Sequence, residues 1–155
     1  MGALKTQLKT DLVTAMKAHD DQAKTTIRLA LSAIGTEEVA GDEARELTDA
    51  EELQVVSKEL AKRKDSAEAY TAGGRPELAE KELAEAAFLQ TYLPAALSDD
   101  EIKTIVDEEL AAAEAATGEK PTMRQMGVVM KAVTARTQGR ADGKVVSGLV
   151  KAALA

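Results

Sequence analysis

A chain of 155 residues is long enough for one domain, or two small ones, with a real core. Its 45% hydrophobic and 30% charged residues describe a globular chain, and 2% aromatics against abundant Ala, Leu and Val favour helix packing over a sheet. The lack of Cys excludes disulfides, thiolate nucleophiles and Cys-based zinc sites, no run reaches the roughly 18 apolar residues of a membrane span, and the net charge of −7 counts against general nucleic-acid binding.

Along the chain, Leu4, Leu8, Leu12, Ala15 and Met16 recur at three- and four-residue spacing and predict an amphipathic helix ending near His19 and Asp20. A second helix carries Ile27, Leu31 and Ile34 and is expected to stop near Gly35, with Glu37 to Leu47 as a loop. Thr48 and Glu51 form a capping box that opens a long helix with Leu53, Val56, Leu60, Ala67 and Tyr70 on one side. Gly73 and Gly74 break it. Pro76 suits the first turn of a fourth helix, which runs through Leu78, Phe88 and Leu89 to Tyr92.

Pro94 disfavours helix in the residue before it, and a second capping box follows at Ser98 and Glu101, which marks a domain boundary. Three short helices are expected beyond it. The first carries Ile102, Ile105, Val106 and Leu110; a Gly/Pro break at Gly118 to Pro121 leads to the second, which opens at Thr122 with Gln125 and carries Met126, Val129, Met130 and Val133. The third starts near Asp142 with Val145, Val146, Leu149, Val150, Ala153 and Leu154 on one side. The expected fold is all-α: an N-terminal four-helix domain over residues 1–93 and a C-terminal three-helix domain over residues 98–155.

The charge is unevenly placed. Residues 1–119 carry −13 and residues 120–155 carry +6, so an acidic front precedes a basic end. Such asymmetry points to an anionic partner for the basic segment. Its cations are Arg124, Lys131, Arg136, Arg140, Lys144 and Lys151, with Lys120 at its start. Lys144 and Lys151 lie seven residues apart, opposite Val146 and Val150, and Arg124 and Lys131 share that spacing. Arg136 and Arg140 flank the turn between the last two helices. No aromatic residue lies nearby to stack on a base, so the pattern fits backbone and shape recognition of a folded RNA. A solubilising surface that balances the acidic front accounts for the same residues equally well.

Other candidates are weaker. His19, the only histidine, sits beside two acids, where a cation at a helix C-terminus explains it better than catalysis or metal binding. Glu77, Glu80, Glu82 and Glu85 read as a solvated helix face rather than a magnesium or hydrolase pair. Gly139 to Lys144 resembles a phosphate loop only superficially: three residues separate the glycines, Val145 follows the lysine, and a helix rather than a strand precedes it. It reads instead as a glycine turn in which Asp142 caps the last helix. Met123, Met126 and Met130 are read as core residues before a partner groove.

Several segments together resemble the GatB/YqeY family, whose C-terminal part is shared with the tail of the GatB subunit of glutamine-dependent tRNA amidotransferase. They are Thr26-Ile27-Arg28, Lys62-Arg63-Lys64-Asp65-Ser66 with Tyr70, Gly74 to Glu82, Tyr92-Leu93-Pro94, Met126 to Met130 and Gly139 to Val146. Their order and spacing cover residues 4–154. The resemblance implies the two-domain helical fold and a C-terminal domain like a tRNA-contacting module. Arg28, Arg63 and Arg75 match the family's basic positions in the N-terminal domain, where acids such as Glu82 and Glu85 offer them ordinary partners.

The expectation is therefore a non-catalytic tRNA- or RNA-associated module, cytoplasmic, with no metal or cofactor. A protein-interaction adaptor, using the Met-bearing helix or a cleft near Tyr92 and serving the tRNA-amidation or translation machinery, is the rival. A carbon–nitrogen ligase with glutamine as amide donor ranks last, because the sequence shows neither a glutaminase nucleophile motif nor an ATP site.

Overall fold

The computed structural model describes residues 1–155 and contains seven α-helices, one 3-10 turn and no strand. The chain divides into two compact units, Met1–Pro94 and Ala95–Ala155.

The first unit holds α1 (Ala3–Lys17), α2 (Asp21–Glu38), α3 (Asp49–Ala72) and α4 (Pro76–Gln90). The turn between α1 and α2 is closed by two backbone bonds, His19 N–H to the Met16 carbonyl (3.2 Å) and Asp20 N–H to the Ala15 carbonyl (3.0 Å), with His19 in the left-handed region at φ 55°. These are the two bonds of a Schellman motif, and they satisfy the orphan carbonyls at the end of α1. Asp20 then caps α2 by accepting from Ala23 N–H at 3.0 Å. The capping box at Thr48 and Glu51 opens α3, and Pro76 begins α4, where its missing N–H removes no helical bond.

Leu4, Leu8, Ile27, Ile34, Val56, Leu60 and Leu89 form the core of this unit, with Ala15, Ala23, Ala30 and Ala86 letting the helices approach closely. Each fully buried Leu or Ile contributes about 1.5–3 kcal/mol. Three expectations need correction. Gly35 lies inside α2, which continues to Glu38; one interior glycine costs about 1 kcal/mol against Ala, less than the burial of Ile34 returns. Met16 and Tyr70 belong to the exposed surface, because the buried stripe of each helix is narrower than the apolar pattern drawn from sequence.

The second unit holds α5 (Asp99–Thr117), a 3-10 turn (Met123–Gln125), α6 (Met126–Thr137) and α7 (Gly143–Leu154). The first of the three expected helices is 19 residues long and fills the span between the expected capping box and the Gly118 break. It starts at the Ser98/Glu101 capping box and ends on Gly118, whose φ of 75° is the left-handed value that glycine adopts without a Cβ penalty. Ile102, Val106, Val129, Val133, Val146, Val150 and Leu154 make a separate core. Val145 and Ala153, expected on the inner side of α7, are exposed, since they lie at the edges of the stripe set by Val146, Val150 and Leu154. Met126 and Met130 pack against this core, whereas Met123 is exposed.

Candidate functional site

The caps position the basic residues of the second unit. Asp142 accepts from Lys144 N–H at 2.9 Å and sets the start of α7, so that Lys144 and Lys151 emerge on its exposed face about 10 Å apart, opposite buried Val146 and Val150. Arg124, in the 3-10 turn, and Lys131, on α6, are also exposed. The 3-10 turn is set by the Gln125 side chain, which accepts from Thr122 N–H at 2.8 Å.

The two arginines that flank the α6–α7 turn are held differently. Arg136 reaches back to α5, where its guanidinium meets Glu108 at 2.6 Å and Glu109 at 3.2 Å, and these two carboxylates raise its pKa above the ordinary value. Arg140 ties down the entry segment of the unit: its Nε donates to the Ala95 carbonyl at 3.1 Å, and its own carbonyl accepts from Leu97 N–H at 2.7 Å. Both therefore have structural partners, and Arg124, Lys131 and Lys151 are exposed. Arg136 thus joins the end of α6 to two acids of α5.

In the first unit Arg63 is mostly buried between α3 and α4. Glu59 lies 3.3 Å away, Glu85 3.1 Å and Glu82 3.8 Å, so one guanidinium serves three carboxylates. Glu82 and Glu85 are thus interior partners rather than a solvated face, while Glu80 is exposed and Glu77 pairs with Arg75 at 3.2 Å on the surface. Arg28 is exposed on α2. The Tyr92 hydroxyl donates to Asp11 at 2.7 Å and its ring leans on Phe88, with centroids 5.7 Å apart. His19 acts through its backbone at the α1–α2 turn. No three His, Cys, Asp or Glu side chains are grouped to hold a metal ion, and no helix is long and apolar enough to cross a membrane.

One structural residue escaped the sequence reading. Glu52 is fully buried, and its carboxylate accepts from Gly2 N–H at 3.0 Å and Lys5 N–H at 2.9 Å, capping α1 from α3. A cap supplied by a residue fifty positions away leaves no local sequence signal. The one hint was an acid on the first turn of α3 at a position that helical spacing places next to the apolar stripe.

Comparison with known proteins follows this geometry. The family model described as Yqey-like protein matches residues 5–154. The mitochondrial protein named altered inheritance of mitochondria protein 41 is similar in several yeasts. The Clavispora lusitaniae protein is 41% identical over 105 residues, which cover 66% of this chain and 59% of that protein. The Vanderwaltozyma polyspora protein is 39% identical over 105 residues, 66% of this chain and 56% of its own. The Lachancea thermotolerans protein is 38% identical over 86 residues, 56% of this chain and 46% of its own. The chain thus spans less than two thirds of the length of these relatives.

Proposed function

The chain belongs to the Yqey-like protein family, and on that premise we propose that it is a non-catalytic module associated with tRNA or another structured RNA. The second unit makes the phosphate contacts. The observation that carries this reading is that Arg124, Lys131 and Lys151 are exposed in the basic segment 120–155 of an otherwise acidic chain, with Lys144 beside them on α7. Cations on a helical surface without a stacking ring supply charge and register rather than base identity. Arg136 and Arg140 add to that charge, and Arg28 and Arg75 provide secondary contacts from the first unit. On this reading residues 1–93 and 98–155 are separate folding domains, the second related to the tRNA-contacting tail of the amidotransferase subunit. The working compartment is the cytoplasm; the yeast relatives are mitochondrial by name, and cell fractionation distinguishes the two.

The experiment is binding of the full chain to bulk tRNA across a salt series, beside a variant carrying Arg124→Glu, Lys131→Glu and Lys151→Glu. These positions are chosen because Arg140 anchors Ala95 and its loss would disturb the fold. Each neutralised phosphate contributes a slope of about 0.7–0.9 in log K against log salt. A steep slope for the native protein that the variant loses supports the reading, and no binding at low salt overturns it. The rival adaptor role, in which the protein partner belongs to the tRNA-amidation or translation machinery, predicts a protein complex formed without tRNA binding. A ligase role would require turnover of glutamine or ATP by the purified chain.

A further inference from the structure

Within the second unit, the end of α5 and the start of α6 leave a groove of about 560 Å³ between them. That is within the range of sites that take a drug-sized ligand or a peptide anchor. Its depth has a sequence cause. Ala113 and Ala116 face it from α5, so the helix pair lacks the large side chains that would close it. On the α6 side stands Val128, which at 69% is the most exposed large apolar side chain in the chain, and Met123 is half exposed in the preceding turn. Neither residue serves the core of the unit.

The walls are held by their own hydrogen bonds. Gly118 N–H donates to the Glu114 carbonyl at 2.7 Å, Glu119 N–H donates to Thr117 Oγ1 at 3.3 Å, and the Gln125 side chain accepts from Thr122 N–H at 2.8 Å. A groove shaped before its ligand arrives loses less conformational entropy on binding. At its loop end Lys120 and Arg124 outnumber Glu119. The second unit itself contains no aromatic residue to stack on an unpaired base.

We propose that this groove docks a short segment of a partner protein in which a leucine-sized apolar side chain is flanked by carboxylates. The apolar anchor fills the space above Ala113 and Ala116 against Val128, and the carboxylates meet Lys120 and Arg124. This is helix-in-groove recognition with a basic rim. It shares Arg124 with the phosphate-contact reading, whereas Lys131, Lys144 and Lys151 do not line the groove.

The test is a titration of the isotope-labelled full chain, followed by amide NMR shifts. The probes are an acetylated, amidated dodecapeptide with two leucines one helical turn apart among glutamates, the same peptide with lysines for glutamates, and an oligouridylate. The expected result is saturable shifts at Ala113, Ala116, Thr122 and Val128 with the glutamate peptide, and binding of the lysine peptide weakened about tenfold or more. Val128→Arg and Ala116→Phe, the second filling the groove from within, should each weaken the glutamate peptide to a similar degree with unchanged circular dichroism. Absence of shifts at millimolar peptide, or equal binding of both peptides, overturns the proposal. Shifts produced by the oligouridylate but not by the peptide also overturn it and assign the groove to nucleic acid.

Discussion

The Tyr92 hydroxyl donates a 2.7 Å hydrogen bond to Asp11 Oδ2, fastening the end of α4 to α1. Burial, and then the Asp11 carboxylate, push the phenol well above its ordinary value. The folded state therefore favours the protonated phenol. That contribution is complete below the unfolded value of about 10 and declines as pH rises past it. Tyr92→Phe is expected to cost about 1–2 kcal/mol at neutral pH, the worth of a hydrogen bond to a charged acceptor reduced for partial exposure. Urea unfolding between about pH 9 and pH 11 should show a shallower alkaline loss in the variant. An identical slope in both proteins would remove Tyr92 as its source.

The Glu52 cap predicts an effect at a position that looks trivial in sequence. A Cβ added at Gly2 would collide with the Glu52 carboxylate, so Gly2→Ala is expected to shift it and weaken the cap on the first N–H groups of α1. Glu52→Ala should cost about 2–4 kcal/mol, because it leaves two N–H groups without their charged acceptor and opens a cavity. Hydrogen exchange should show the first turn of α1 losing protection in both variants. Retained protection at Lys5 in Glu52→Ala would count against the cap.

His19 holds a left-handed conformation that L-residues adopt at a cost. His19→Gly relieves that strain and keeps the Schellman bonds, while the more flexible unfolded chain takes back part of the gain. The expected net is a stabilisation of about 0.5–1 kcal/mol, measured by denaturant midpoint. A destabilised variant would mean that the imidazole itself makes a needed contact.

The basic residues should separate by their partners. Lys131→Gln and Lys151→Gln each remove an outward charge and should each reduce the salt slope of tRNA binding by about 0.7–0.9. Arg136→Gln should reduce it less, because that guanidinium already faces Glu108 and Glu109. Its effect on stability should be small, as is usual for exposed pairs. Equal slopes for all three variants would show that Arg136 leaves its glutamates in the complex.

Glu51 provides an acid-side test. The Arg45 guanidinium, followed by the Thr48 backbone N–H, holds its carboxyl down to about 2. A depressed folded value means a contribution present above the ordinary carboxylate range and lost as pH falls through it towards about 2. Arg45→Ala should move the Glu51 titration upward in side-chain NMR, and an unmoved titration would assign the depression to the cap alone.

What the sequence determined by itself is what is encoded within a turn or two. The capping boxes at Thr48 and Ser98, Pro76 at the start of α4, Gly118 at the end of α5 and Asp142 before α7 are local hydrogen-bonding or φ preferences, and periodicity sufficed for the helices between them. The basic end of the chain was equally legible, as a list of charges. Tertiary structure decided which of those charges are already used, Arg136 on Glu108 and Glu109 and Arg140 on Ala95, and in the first unit it set Arg63 among three glutamates. It also decided that Glu52 caps α1, that α2 runs through Gly35, and that Val128 borders an open groove. The reason is physical. Caps and periodicity depend on neighbours along the chain, whereas ion pairs, remote caps and grooves depend on which surfaces packing brings within a few ångströms, and no spacing in sequence reports that distance.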